Sequence, residues 1–155
     1  MPLHSYSTTR RPPSVMDHVY AHPFELILAT AGVLAGLASI AAALTHVATS
    51  PAMALLPPWV LLPFGLLLPA GGVLMATGIY DDSDDLMRGW RIERVGLVAS
   101  GFGWAAFGIA TAGLPTGNPV GVVLCCLFAL AMVLRFRATV LEERRVRGAI
   151  AQGTP

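Results

Sequence analysis

The ten basic residues of this 155-residue chain are all arginines, and their placement dictates how the chain can cross a membrane. Arg10 and Arg11 form one cluster, Arg88, Arg91 and Arg94 a second, and Arg135, Arg137, Arg144, Arg145 and Arg147 a third. Between the clusters run paired apolar segments whose connecting loops, residues 49–58 and 115–119, carry no charge. Cytoplasmic loops of membrane proteins collect Lys and Arg, whereas short translocated loops avoid them. The pattern reads in–out–in–out–in. It predicts an all-α integral membrane protein of the cytoplasmic (inner) membrane. Four transmembrane helices, with both termini inside, form two helical hairpins packed as a bundle.

Composition agrees with this expectation. The chain is 55% hydrophobic and 12% charged, with a mean hydropathy of +0.66, outside the usual soluble range. Its length leaves room for one membrane domain and no extra soluble one. Cys125 and Cys126 are adjacent in an apolar run, where neighbours on a helix point about 100° apart, so two buried thiols are expected and not a disulfide.

Residues 1–23 are polar and read as a flexible cytoplasmic arm, with Pro12 and Pro13 after the arginine pair. The expected spans are residues 24–47, 59–80, 95–114 and 120–134, a transmembrane domain over 24–134. The first is too long for the apolar core of a signal peptide, about 7–15 residues. The second begins at Trp59 and ends at Tyr80, as an interfacial aromatic belt predicts. The fourth is short and runs without a breaker into residues 135–155. Glu143 and Arg147 stand there at i,i+4, so a charged helical stalk extending into the cytoplasm is expected, with Gly148 its natural stop.

Small residues recur at spacings of three and four along the first span, at Ala29, Gly32, Gly36, Ser39 and Ala43. The third span repeats the device over Gly96, Ala99, Gly103, Ala106, Ala110 and Gly113. Lipid removes the hydrophobic drive for helices to associate, so close van der Waals approach over small residues takes its place. An average period of 3.5 keeps one seam facing a partner in left-handed packing. The simpler reading packs the first and third spans on each other within one subunit; the functional one makes the stripes, including the GxxxG of Gly32 and Gly36, seams of self-association.

Glu25 and His46 extend the first stripe to both of its ends, an ionisable pair on a packed face near opposite membrane surfaces. Interfacial capping accounts for both; a proton or cation relay is the sharper alternative. Pro63, Pro69, Gly71 and Gly72 in the second span read as a structural kink or hinge, since each proline removes a backbone hydrogen bond. Broken helices of this kind also form transporter sites. Asp81, Asp82, Asp84 and Asp85 lack the ligand order of a calcium loop, and an Asp-capped helix start explains them. The histidines His4, His18, His22 and His46 lack metal-ligand spacing. No Ser–His–Asp set, CxxC, P-loop or GxGxxG is present, so neither catalysis nor a cofactor is expected.

In size, number of spans, small-residue seams and the basic tail of Arg135, Arg137, Arg144, Arg145 and Arg147, the chain resembles holins. That resemblance implies a non-enzymatic protein that assembles into membrane lesions. Two alternatives stand beside it. One is an accessory subunit of a larger membrane complex, docking through the tail and the acidic loop. The other is a small transporter resembling drug/proton antiporters, with Glu25 as its membrane carboxylate. The expected partners are the lipid bilayer and copies of the chain or other membrane subunits, with no nucleic acid.

Overall fold

A computed structural model describes residues 15–47, 50–81, 86–114 and 119–151. The first fourteen residues of the arm, His4 among them, lie outside the described residues, as do Asp82, Asp84, Asp85 and most of the 115–119 loop. Six helices follow in order: α1 (Val15–Ala21), α2 (Pro23–Thr45), α3 (Pro51–Leu55), α4 (Pro58–Ile79), α5 (Leu86–Ala112) and α6 (Pro119–Ala151). Four of them, α2, α4, α5 and α6, are long and apolar enough to cross a membrane.

Proline writes most of the boundaries. Helices α2, α3, α4 and α6 all begin on one, where the missing N–H is an orphan in any case. Pro23 also ends α1, because the residue before proline is pushed out of the helical region, and His22 sits at φ −131°. α1 places a short helix inside the segment read as an arm. At its far end α2 stops at His46, the single non-glycine residue with positive φ (57°) among the described residues. Its N–H still bonds the Ala42 carbonyl, so the turn closes as the chain leaves.

Two helices overrun their expected spans. α5 starts at Leu86, not Val95, and carries Arg88, Arg91, Glu93 and Arg94 inside the helix. α6 continues through the basic segment to Ala151 as one helix, past Gly148, where a stop was expected. Glycine is a weak breaker here, as it costs a helix interior only about 1 kcal/mol.

The helices pack in chain order, α2 against α4, α4 against α5 and α5 against α6. The α2 and α5 stripes therefore do not pack along one another. Helix α4 stands between them and meets each with its own glycines. Toward α2, a Cβ on Gly72 would lie 2.5 Å from the Ala29 carbonyl oxygen, and one on Gly36 would strike the Pro69 ring. Toward α5, a Cβ on Gly78 would lie 2.5 Å from the Glu93 nitrogen, and one on Gly96 equally close to the Met75 nitrogen. The two glycine pairs of α4, 65/72 and 71/78, each repeat after seven residues, as do 89, 96 and 103 on α5. That is the period of a left-handed seam.

Pro63 and Pro69 lie inside a helix that runs unbroken from Pro58 to Ile79. The Gly65 carbonyl, freed by Pro69, faces the Gly36 backbone, where an added Cβ would stand 3.1 Å away. Close Cα–H approach to such a carbonyl compensates part of the lost bond. A shared core of Leu28, Leu68, Met75, Leu97, Trp104 and Met132 draws on all four long helices. Phe64 meets Phe107 edge-on at 5.7 Å, and Trp104 meets Phe128 at 4.9 Å. At the His46 end, Met53 and Leu56 pack over Ala42, Ala43 and Leu61.

Candidate functional site

The charged side chains of the arginine-rich end converge instead of dispersing into solvent. Arg135, the first residue beyond the apolar run of α6, reaches two helices at once. Its Nη1 lies 3.2 Å from Glu25 Oε1 on α2, and its Nε donates to Glu93 Oε1 on α5 at 2.8 Å. His22 Nδ1 stands 3.5 Å from the same guanidinium. Two helical turns on, Arg94 of α5 pairs with Glu143 of α6 and donates to the Thr139 carbonyl at 3.0 Å. Arg147 closes on Glu143 from one turn further along α6. Three carboxylates face three guanidinium groups, so the network is neutral overall.

Burial makes this arrangement consequential. Glu93 is 2% exposed and Thr139 fully buried, and Glu143 is also enclosed. An isolated charge at such depth is costly, and pairing with further hydrogen bonds offsets that cost. The geometry that buries Glu93 depends on Gly78, since any side chain there would push α5 off α4 at the Glu93 backbone. Arg94 holds the Glu143 carboxyl below the usual range, chiefly through its hydrogen bond; the charges of Arg94 and Arg147 assist, and burial works against them.

Glu93 is the residue that sequence reasoning undervalued. A third span beginning at residue 95 leaves it just outside the membrane. The usable signal was the repeat Gly89, Glu93, Gly96, Ser100, Gly103, which sets this carboxylate on the seam itself. Glu25 joins the network, whereas His46 sits exposed at the opposite end of α2, about 35 Å away for 23 residues.

All five stripe residues of α2 (Ala29, Gly32, Gly36, Ser39, Ala43) are buried. On α5, Gly96 and Gly103 are buried, Ala99, Ala106 and Ala110 half-buried, and Gly113 faces open space. Gly71 and Gly72 are contact points, the first against Ser100 of α5 and the second against Ala29 of α2; Pro69 is half-buried and Pro63 exposed. Of the tail arginines, Arg135 and Arg147 serve the network, and Arg137, Arg144 and Arg145 are exposed. Among the described residues no three His, Cys, Asp or Glu side chains gather as a metal site requires.

Chemically, the site is a clasp. It ties α2, α5 and α6 together at the level where their apolar runs end, and it presents no activated nucleophile. Four long apolar helices of this kind mark a membrane protein. No protein-family model matches the chain, and neither does any curated protein or solved structure.

Proposed function

We propose that this chain is a small, non-enzymatic protein of the cytoplasmic membrane, with both termini inside, that works by lateral association in a holin-like manner. The observation that carries the reading is the state of α6. Only 11% of its apolar window is buried, against 39% for each of the other three long helices. Val120, Val123, Leu127 and Leu134 are exposed along it. A subunit with one such open helix has a face to offer a neighbour, and lesions built from many subunits need one. The orientation rests on the three arginine clusters and the two uncharged loops.

A second reading, an accessory subunit of a larger membrane complex, is favoured by one specific fact. The glycines of α2 and α4 are consumed within the chain, so a partner on α6 must pack against large aliphatic side chains and not across a close glycine crossing. Inducible expression in bacteria, with membrane potential followed over time, separates the two. A holin-like protein collapses the potential abruptly after a delay, and Leu127→Trp on the open face shifts that delay. An undisturbed potential at confirmed membrane expression rejects lesion formation, and a different membrane protein co-purifying in mild detergent then supports the subunit reading.

A further inference from the structure

We infer that the groove between α5 and α6 is a binding site for an anionic phospholipid, which lays an acyl chain in the groove and its phosphate among exposed arginines at the groove's basic end. The groove, about 380 Å³, is walled by Leu97, Gly101 and Phe102 on α5 and by Ala129, Val133 and Phe136 on α6. Its lining is apolar throughout, so it suits a hydrocarbon chain and offers nothing to a polar solute. Gly101 forms part of its floor, because the nearest atom to a Cβ added there is the Met132 Cβ at 3.4 Å.

What selects the headgroup lies just beyond. The helical period carries the groove face of α6 from Val133 to Arg137 one turn on and to Arg144 three turns on. Both are exposed, and neither makes an ion pair or hydrogen bond among the described residues. On α5 the same face leads from Val98 back two turns to Arg91, an exposed residue whose Nε donates to the Met87 carbonyl at 3.2 Å. Among the described residues no carboxylate pairs with Arg137 or Arg144: Glu143 is engaged by Arg94 and Arg147, and Glu142 falls on the opposite side of α6. Basic clusters at the cytoplasmic end of an interhelical groove attract anionic headgroups, whereas a zwitterionic headgroup brings its own cation. Retaining an acyl chain beside α6 would also keep the most thinly packed helix of the protein in place.

The site rests on the membrane reading proposed above, and the test keeps the two apart. Membranes carrying the full-length protein are first washed in alkaline carbonate, and the retained protein is then purified in mild detergent. Native mass spectrometry follows with added phosphatidylglycerol or phosphatidylcholine. Phosphatidylglycerol should be retained at least about fivefold more than phosphatidylcholine, the order expected for one arginine near a headgroup. The double variant Arg137→Gln/Arg144→Gln should erase the preference, while Arg145→Gln, on another side of α6, keeps it. Gly101→Leu, which fills the groove, should lower retention of both lipids. Equal retention of the two lipids by the parent protein, or an undiminished preference in the double variant, overturns the site. Release of the chain by carbonate overturns the membrane reading instead.

Discussion

Helices α4 and α6 are built from similar material and are held in opposite ways. α6 has the more apolar window of the two, yet far less of it is buried. α4 carries Gly65 and Gly72 toward one neighbour and Gly71 and Gly78 toward another, and its backbone touches theirs. α6 has no such series; its contacts with α5 run through larger side chains and a set of ion pairs beyond the apolar run. Hydropathy thus governs entry into a membrane, and small residues govern which helices then close on each other. A charged clasp fixes the end of a helix whose length is loosely packed.

If the clasp holds α6, cutting it should produce the largest effect. Arg135→Gln leaves Glu93 buried without its cation and removes the link to Glu25. Breaking a buried pair from one side typically costs about 3 kcal/mol or more. Thermal unfolding in mild detergent should show a marked fall in midpoint, and Glu93→Gln in the same background should recover part of it. Arg145→Gln, on an exposed arginine with no ion pair among the described residues, is the control. Equal midpoints for Arg135→Gln and Arg145→Gln would mean that the clasp is ornamental.

The α4 side of the contrast predicts a steep dependence on single methyl groups. Gly72→Ala and Gly78→Ala each drive a Cβ into a neighbouring backbone, and overpacking of this sort costs about 1–3 kcal/mol. Gly103→Ala meets side-chain atoms of Leu68 and Leu67 and no backbone, so it should cost less. Gly113→Ala faces open space and should lie within about 0.5 kcal/mol of the parent. Losses of the same size at all four positions would remove the distinction between backbone contact and side-chain contact.

Much of this organisation was legible in the sequence, and the rest was hidden for identifiable reasons. The apolar runs located the four long helices, and the spacing of Ala29, Gly32, Gly36, Ser39 and Ala43 placed one face of α2 inward. Periodicity tells which residues share a face and says nothing of which helix will meet it. The partner of both stripes was α4, whose glycines were overshadowed by Pro63 and Pro69 and read as a hinge. Glu93 was hidden because a charge ends a span in any reading based on hydropathy, whereas a paired carboxylate can be buried at the same level. The stalk was foreseen as a projection; Arg94 and Thr139 instead hold its first turns against α5.

Acid should weaken the outer half of the clasp. The Glu143 carboxyl titrates below its ordinary value because Arg94 donates to its charged form. A group whose folded pKa is depressed contributes stability that is complete above the unfolded value, about 4.3 for Glu, and is lost as pH falls through the folded value. The unfolding midpoint should therefore drop on the acid side of that range. Glu143→Gln should flatten this limb while leaving the neutral and alkaline limbs parallel to those of the parent. An unchanged acid limb in the variant would place the titrating group elsewhere.

The smallest effect concerns the middle of the α4–α5 seam and should have the opposite sign. Ser100 is 1% exposed, and its hydroxyl finds no hydrogen-bond partner among the described residues. It faces Gly71 at a point where the two backbones approach closely, so the residue must be small but gains nothing from being polar. Removing a buried hydroxyl that is unsatisfied relieves its desolvation cost, and Ala keeps the close contact. Ser100→Ala should accordingly raise the unfolding midpoint slightly, by the equivalent of about 1 kcal/mol. Ser100→Val adds bulk at the same point and should lower it. A loss of stability in Ser100→Ala would show that the hydroxyl has a partner in the membrane, and the seam would then depend on polarity as well as on size.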